Sequence, residues 1–435
     1  MSAETTIEPP QKIELYRSDT LLVRQTPAGT SQNWVITFDH HSIGEGFDRL
    51  GFGEDFLFAN GISAIHVLGR GNDWYQYDDI FDAMAKVREA TAGATRKITY
   101  GSSMGGYAAV RLADAVGADG VLALSPQWST NPSRASWEDR WPQDAHRVRW
   151  IDTIDGALQC RARPVLVYDP HVALDRRHVT QISGETSSVL VPVPYSGHPA
   201  STFLGEVSLL RPLLEDVLQD RFNLKATSEA IRARRSTSSV YLGTLAERQP
   251  AVRPRTALAL ARAARVAKPD STLGMLSLAR ILTRTSNHDE AVTLHREIAV
   301  RTERLPLYLI SFADALWISE ARTEAIATAE EAVSGLPEIA HLRNWLAAML
   351  WKHGARSTAI EQQKHAVALT PKNRRYRRRL YLYRIGRYGW RLRDLLWRKG
   401  SANHAAANSA EATTANARFA EGSDLSVSPK PRGLL

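Results

Sequence analysis

The chain has 435 residues, of which 43% are hydrophobic and 23% charged, and its formal net charge is +9. This composition predicts a globular chain with a large core and two or three domains. No run of about 18 apolar residues occurs and the N-terminus lacks an apolar signal-like stretch, so no membrane-spanning helix is predicted. Cys160 is the only cysteine, which excludes an internal disulfide, a four-cysteine zinc site and CxxC redox chemistry. We therefore expect a cytoplasmic protein.

Residues 12–222 alternate short apolar runs with longer amphipathic stretches. The runs that we predict as strands are LLVRQT, NWVITFDH, ISAIHVLG, RKITYGS, GVLALSP, RPVLVYDP and SVLVPVPYSG. Helical patterns such as YDDIFDAMAKVREATAG lie between several of them. Because parallel neighbours need crossover helices, this alternation predicts an α/β domain with a mostly parallel sheet covered on both faces. The stretch 127–160 interrupts the pattern and is predicted to form a cap or long loop over one end of the sheet.

A GxSxG pattern follows the fourth of these strands. Gly101 and Gly105 flank Ser103 in the sequence YGSSMGGYAA. Glycines at these positions give room for a tight strand-to-helix turn in which a strained serine projects above the sheet. A strand-like run precedes the motif and a helix-like run follows it. We therefore predict that Ser103 is a nucleophile, and a serine in a plain glycine turn is the alternative.

A serine nucleophile needs a base, and His198 is the best candidate. It follows the last predicted strand in the sequence YSGHPAST, which brings it to the carboxyl edge of the sheet near Ser103. Its nearest rivals are His171 and His178, and His178 is predicted to lie within a helix. An ordinary surface-loop histidine is the alternative interpretation of His198.

Two carboxylates follow the strand PVLVY, and either could orient His198 and stabilise its protonated form. Asp169 ends the strand, whereas Asp175 lies beyond a short loop, just before the helical RRHVTQI. We favour Asp175, since a loop carboxylate swings toward a histidine more easily than one fixed at a strand end. Its alternative role is that of a helix N-cap.

The chain order serine, aspartate, histidine, with the sequences YGSSMGGYAA, PVLVY and SGHP, resembles the α/β-hydrolase superfamily over about residues 12–222. The resemblance implies a doubly wound sheet, a Ser-His-Asp triad and an oxyanion hole. One oxyanion donor would be the backbone N–H of Met104, and another would come from the loop around His40, His41 and Ser42. Adjacent histidines can also indicate a metal, but neighbouring strand residues face opposite ways and no complementary ligand cluster is present. We expect no metal and no cofactor.

Three further stretches, GSSMGGYAAV, NDWYQYDDI and LALSPQWS, are similar to bacterial hydrolase-like proteins associated with cell-surface polysaccharides and glycan acylation. The similarity implies an ester on a glycan, either hydrolysed by water or formed by acyl transfer to a sugar hydroxyl. A catalytically inactive, hydrolase-like interaction protein is the alternative. Such aromatics more often pack a cap, but the candidate sugar-stacking residues are Trp74, Tyr75, Trp128, Trp137 and Trp141.

Small residues recur every 34 positions in the second half of the chain, at Ala279, Ala313 and Ala347 and again at Ala291, Ala325 and Ala359. Such residues let the two helices of a hairpin approach closely. The pattern resembles tetratricopeptide repeats, with three units over about 272–373 and a degenerate fourth within an all-α domain at 240–373. Stacked hairpins expose a concave surface, so we expect a protein partner, with a rigid spacer or dimerisation arm as the alternative. The stretch 223–239 is predicted to be a linker.

The excess positive charge lies in residues 372–399, which contain twelve Lys or Arg, six aromatic residues and one acid, Asp394. Residues 374–400 are predicted to form a segment that caps the last repeat. Contact with an anionic membrane surface or an anionic glycan is the alternative, and lipid contact would place the protein peripherally at the inner membrane surface. No base-reading pattern for nucleic acid is present. Residues 401–435 have few large apolar residues and are predicted to be a disordered tail.

Overall fold

The structure is a computed structural model that describes residues 12–28, 32–41, 43–44 and 46–386. The predicted tail at 401–435 and residues 387–400 of the basic segment lie outside the described residues. The chain divides into two compact units, the first ending at Tyr241 and the second beginning at Leu242.

One eight-stranded sheet forms the centre of the first unit. Its strands are β1 (Ile13–Arg17), β2 (Leu21–Thr26), β3 (Asn33–Phe38), β4 (Ser63–Gly69), β5 (Arg96–Ser102), β6 (Gly120–Leu124), β7 (Pro164–Tyr168) and β8 (Val189–Pro192). Their order across the sheet is β1-β2-β4-β3-β5-β6-β7-β8. The pairs β1–β2 and β2–β4 are antiparallel, and all pairs from β4 to β8 are parallel. The predicted parallel pairing is therefore confirmed over this larger part of a mixed sheet.

Helices cover both faces of this sheet. Those of the first unit are α1 (Glu54–Ala59), α2 (Ile80–Ala90), α3 (Met104–Arg111), α4 (Ala113–Val116), α5 (Pro142–Arg147), α6 (Asp152–Asp155), α7 (Ala173–Glu185), α8 (Ser201–Glu206), α9 (Leu210–Leu218) and α10 (Leu224–Arg234). Consecutive strand residues enter different cores, because side chains alternate across a sheet. Ile36 and Val121 pack with α2, α3 and α7, whereas Val35 and Leu122 pack with α8 and α9.

The stretch 223–239 is not a free linker, as the sequence analysis expected, but part of the first unit. Its helix α10 is capped by the side chain of Asn223, and Ile231 is buried in the core that contains α8 and α9. Ser238 then hydrogen bonds to Glu206 of α8. Its basic residues surround a single buried hydrophobic residue, Ile231, so the sequence carries little sign of a core-packed helix.

The second unit consists of helices in sequence-adjacent pairs. Its helices are α11 (Ser239–Glu247), which begins just before the boundary, α12 (Pro254–Ala267), α13 (Thr272–Arg284), α14 (His288–Arg301), α15 (Pro306–Ile318), α16 (Arg322–Gly335), α17 (Ala340–His353), α18 (Arg356–Leu369) and α19 (Arg374–Ile385). The six alanines of the 34-residue pattern are all buried. The predicted helical-hairpin repeats are therefore confirmed, and α11 with α12 occupies the place of the degenerate unit.

The described part of the basic segment is α19. Its Tyr383 is buried and stacks on Trp351 of α17, with 4.2 Å between ring centroids, so α19 packs on the last hairpin. Across the described ranges, every helix is too short or too polar to span a bilayer.

Candidate active site

Ser103 is the single residue between the end of β5 and the start of α3. Its φ of 54° and ψ of −111° are rare for any residue other than glycine. Backbone strain of this kind persists only where the surroundings hold it, and it is concentrated at functional sites. Here the Ser103 N–H donates to the carbonyl oxygen of Leu124 at 2.9 Å, which ties the turn to the end of β6.

The flanking glycines make this turn sterically feasible. A Cβ atom on Gly101 would lie 2.2 Å from the carbonyl oxygen of Gly105, and a Cβ on Gly105 would lie 2.2 Å from that of Phe38. Helix α3 therefore begins in direct contact with β5 and with the end of β3. Any side chain larger than hydrogen at either position would force these backbones apart.

Ser103, His198 and Asp175 form a continuous chain of hydrogen bonds. Ser103 Oγ lies 3.1 Å from His198 Nε2, and His198 Nδ1 lies 2.7 Å from Asp175 Oδ2. Ser103 is buried, as are both partner side chains. Because Asp175 accepts the Nδ1 proton, Nε2 is left as the acceptor for the Ser103 hydroxyl proton.

Asp169 contacts a different part of the site. Its carboxylate accepts hydrogen bonds from the backbone N–H groups of Gly197, at 2.9 Å, and His171, at 2.8 Å. It therefore fixes the turn that precedes His198, while Asp175 is the aspartate at the imidazole. Asp175 lies in the first turn of α7 and not in a loop. The N-cap of that helix is Val172, so the alternative N-cap role of Asp175 is wrong.

The first N–H groups of α3 point away from the body of the helix without an intrahelical partner, and the donor of Met104 is the first of them. In the loop after β3, His40 Nδ1 lies 2.8 Å from the carbonyl oxygen of His41, and His41 Nε2 lies 2.8 Å from Asp144. One nitrogen of each ring therefore has a partner within the protein. Ser42 lies outside the described residues. Within the described ranges, no group of three His, Cys, Asp or Glu side chains has a metal-binding arrangement.

A glutamine that the sequence analysis did not consider contacts Ser103. Gln127 Nε2 donates to Ser103 Oγ at 3.0 Å, and its Oε1 accepts from Trp74 Nε1 at 2.5 Å. The indole N–H, which can only donate, fixes the orientation of the amide. The serine hydroxyl thus has a donor on one side and His198 on the other.

Gln127 belongs to the insertion, which we define as residues 125–163 between β6 and β7. Its Arg140 is fully buried and donates to Asp175 Oδ1 at 2.7 Å and to Glu138 Oε2 at 2.7 Å. Glu138 Oε2 also lies 2.8 Å from His178 Nε2. His178, one of the two alternative bases, therefore contacts Glu138 and not Ser103. His171, the other alternative, stacks on Tyr195.

Burial and neighbouring charges together set the pKa values of Asp175, Glu138 and His178. Burial raises the pKa of the Asp175 carboxyl, but the charges and hydrogen bonds of His198 and Arg140 outweigh it and hold that pKa below its ordinary value. Burial likewise raises the pKa of Glu138, and the charge of Arg140 with the hydrogen bond from His178 brings it well below its ordinary value. Both carboxylates are therefore ionised at neutral pH. Burial lowers the pKa of His178 despite its hydrogen bond to Glu138, so this ring is neutral.

A sugar-stacking role for Trp74 and Tyr75 is contradicted by their burial, at 0% and 1% exposure. Trp74 orients Gln127, and the Tyr75 hydroxyl donates to the carbonyl oxygen of Val67 and accepts from the N–H of Asp39. Their rings therefore form part of the core and present no face to a sugar.

The other candidate aromatics pack the insertion. Trp128 Nε1 donates to Glu185 of α7, and the guanidinium of Arg134 covers its ring at 4.2 Å. Trp137 packs against His178, and Trp141 packs against His198 with 6.0 Å between ring centroids. These contacts agree with the cap-packing alternative of the sequence analysis, and a sugar-stacking role for the half-buried Trp128 and Trp137 stays a prediction.

Sequence reasoning missed Gln127, Glu138 and Arg140. The available signal was the sequence WEDRW, in which two opposite charges two residues apart stand between tryptophans. In an extended segment, residues two apart lie on the same side. A buried ion pair between Glu138 and Arg140 could therefore have been predicted from the sequence. The contact of Arg140 with Asp175 could not.

No protein-family model matches this chain, and no curated protein sequence matches it. Solved structures with a partial similarity include a capsule O-acetyltransferase of Neisseria meningitidis serogroup A, 10% identical over 50% of this chain and 97% of that chain, with a TM-score of 0.36. They also include the TPR protein TTC0263 of Thermus thermophilus, 18% identical over 40% of this chain and 98% of that chain, with a TM-score of 0.32. MamA is 12% identical over 39% of this chain and 88% of that chain, with a TM-score of 0.28.

Proposed function

We propose that the first unit is a serine esterase or acyltransferase of the α/β-hydrolase type. The observation that carries the proposal is the buried chain of hydrogen bonds from Ser103 through His198 to Asp175. A hydroxyl beside a neutral imidazole whose other nitrogen is held by a carboxylate is the arrangement that activates serine for attack on acyl groups. The strained turn at Ser103 and the start of α3 at the next residue, where helix N–H groups lack intrahelical acceptors, support the same chemistry.

The reaction has two halves. Ser103 Oγ attacks the acyl carbon while its proton passes to His198 Nε2, and the carbonyl electron pair moves onto the oxygen beside the Met104 N–H. Collapse of this intermediate breaks the ester bond, and His198 returns the proton to the leaving alcohol. In the second half, water or another alcohol gives its proton to His198 as it attacks the acyl-serine. The intermediate collapses with cleavage of the bond between the acyl carbon and Ser103 Oγ, and His198 returns the proton to Ser103. Water yields hydrolysis, and an acceptor hydroxyl yields acyl transfer.

The substrate that we propose is an oxygen ester on a glycan, supported by the three sequence stretches that resemble glycan-acylation proteins. The alternative is a catalytically inactive first unit, with the repeats carrying the function. We infer that the helical hairpins bind a protein partner, because stacked hairpins commonly do so. An anionic membrane surface or glycan as the partner of residues 372–399 stays a prediction.

Labelling of the folded full-length protein with a fluorophosphonate probe tests the proposed nucleophile. We expect one adduct, on Ser103, and none in Ser103→Ala. Ser102→Ala is the matched control, since Ser102 is the adjacent buried serine and its loss should leave labelling intact. Absence of an adduct on Ser103 in folded protein would refute the enzymatic proposal in favour of the interaction protein. Turnover of p-nitrophenyl acetate with and without a sugar acceptor then separates hydrolysis from transfer.

A further inference from the structure

Behind the triad, Arg140 lies between two buried carboxylates. Its Nη1 is 2.7 Å from Asp175 Oδ1 and its Nη2 is 2.7 Å from Glu138 Oε2, and all three side chains are at most 1% exposed. The same Nη1 lies 3.4 Å from His198 Nδ1. A fixed positive charge so close to the imidazole opposes its protonation, which is the step that the base must undergo.

Glu138 offsets this opposition. With His198 neutral, the cluster of Glu138, Asp175 and Arg140 has one net negative charge. When His198 takes the Ser103 proton, these three side chains and the imidazolium together have no net charge. Without the Glu138 charge, the resting cluster would be neutral and the protonated imidazole would leave an unbalanced positive charge in a buried site, which is costly.

Among the described residues, the other titratable groups near His198 have partners of their own. Trp141 packs on the imidazole and separates it from His41, which is itself paired with Asp144. Asp169 of the β7–α7 turn binds the Gly197 N–H beside the imidazole and also His171. On α7, the neutral His178 accepts the Trp128 N–H through Nδ1 and so donates through Nε2 to Glu138. That donated hydrogen bond helps to keep Glu138 ionised.

We propose that Glu138 is a positioning residue whose negative charge, balanced against Arg140, lets His198 accept the proton of Ser103. The insertion thus contributes an electrostatic component to the site as well as covering it. The proposal rests on the proposed function, because it concerns the same proton transfer.

The test is the pH dependence of Ser103 labelling by the fluorophosphonate probe in the full-length protein. Glu138→Gln keeps the shape of the side chain and removes its charge, so imidazolium becomes less stable. We expect the acid limb of the labelling profile to move to lower pH by about one unit and the plateau rate to fall about tenfold. In the double variant Glu138→Gln, Arg140→Met both charges are gone, and the acid limb should return to the wild-type pH.

Glu185→Gln is the matched control. Glu185 also links α7 to the insertion, through Trp128 Nε1 and the Leu158 N–H, but its partners are not those of Glu138. This variant should keep the wild-type acid limb. An unchanged or raised acid limb in Glu138→Gln, or a double variant that fails to restore it, overturns the proposal.

Two further outcomes keep the inference distinct from the proposed function. If Glu138→Gln does not fold, the double variant is measured alone. Charge balance predicts that its labelling rate falls at the same acidic pH as in wild type, and a fall at a different pH contradicts the proposal. If the wild-type protein shows no labelling at any pH, the proposed function itself has failed and this inference fails with it. Normal wild-type labelling without the shift overturns the Glu138 inference alone.

Discussion

At the scale of single residues, Ser103 Oγ has two hydrogen-bond partners with opposite roles. His198 Nε2 accepts its proton, and Gln127 Nε2 donates to its oxygen. In the proposed reaction, this donor stabilises the negative charge that develops on the oxygen as its proton departs. Gln127 thus contacts the oxygen that we propose as the nucleophile, and the Trp74 indole holds the amide in place.

This arrangement predicts a specific effect of Gln127→Met, which keeps the volume and removes the donor. Fluorophosphonate labelling of Ser103 should slow about tenfold. Gln76→Met is the control, because Gln76 is a second buried glutamine that donates to the Tyr107 hydroxyl. The control should lose comparable stability and label at the wild-type rate. Equal labelling rates for wild type and Gln127→Met would contradict this role of Gln127.

The residues found from sequence and those that were missed differ in a physical way. Ser103 stands in a local motif, and His198 follows a recognisable strand, so both could be placed at the sheet edge. Gln127, Glu138 and Arg140 have partners that are distant in sequence, and only the fold of the insertion determines which groups they contact. The choice between Asp169 and Asp175 likewise depended on where α7 begins.

At the scale of elements, the β5–α3 turn depends on backbone contacts that only glycine permits. Because a Cβ on Gly105 would lie 2.2 Å from the Phe38 carbonyl oxygen, Gly105→Ala must push α3 away from β3. We expect a loss of about 3 kcal/mol in the free energy of unfolding, measured by urea denaturation, together with loss of labelling.

Gly184→Ala provides the comparison for that experiment. Gly184 lies in α7 and a Cβ there would meet no atom within 4 Å. The free energy of unfolding of Gly184→Ala should be unchanged or higher by up to about 1 kcal/mol, because alanine has a higher helix propensity than glycine. If Gly105→Ala were as stable as Gly184→Ala, the packing account of the turn would be wrong.

The elements that escaped sequence analysis are those with little buried surface. Strand β1 has no fully buried residue, so its hydrophobic pattern is weak, and α10 has only Ile231 fully buried. The central parallel strands are almost entirely buried and were therefore visible as apolar runs. Likewise, the 34-residue spacing of small residues made the helical hairpins predictable.

At the scale of the whole molecule, the two units have separate cores, and each contains a buried neutral histidine. Burial lowers the pKa of His66 in the first unit to about 4 and that of His295 in the second unit to about 3. The His295 ring stacks on Phe312, and neither of its nitrogens has a hydrogen-bond partner among the described residues.

This burial makes the second unit sensitive to mild acid. The unfolded chain binds a proton on His295 below about pH 6.5, whereas the folded unit does not bind it until about pH 3. The stability contributed by the neutral ring is therefore lost as the pH falls through this window. When the pH falls from 7 to 5, the free energy of unfolding of the second unit should fall by about 2 kcal/mol less in His295→Phe than in wild type.

Hydrogen exchange of the second-unit amides, corrected for intrinsic rates, measures this difference. The first-unit amides and the labelling of Ser103 serve as internal controls and should be the same in both proteins. An identical change between pH 7 and pH 5 in His295→Phe and wild type would show that the buried ring does not cause the acid sensitivity.

The insertion between β6 and β7 has a practical consequence for anyone wishing to redesign the substrate range. Because Gln127, Glu138 and Arg140 all lie on it, shortening this stretch would also remove the groups to which we assign a part in the proposed proton transfer. In this proposal, one segment of the chain affects both substrate selectivity and the basicity of His198. Redesign that leaves the proposed chemistry intact therefore has to keep Gln127, Glu138 and Arg140 and their contacts.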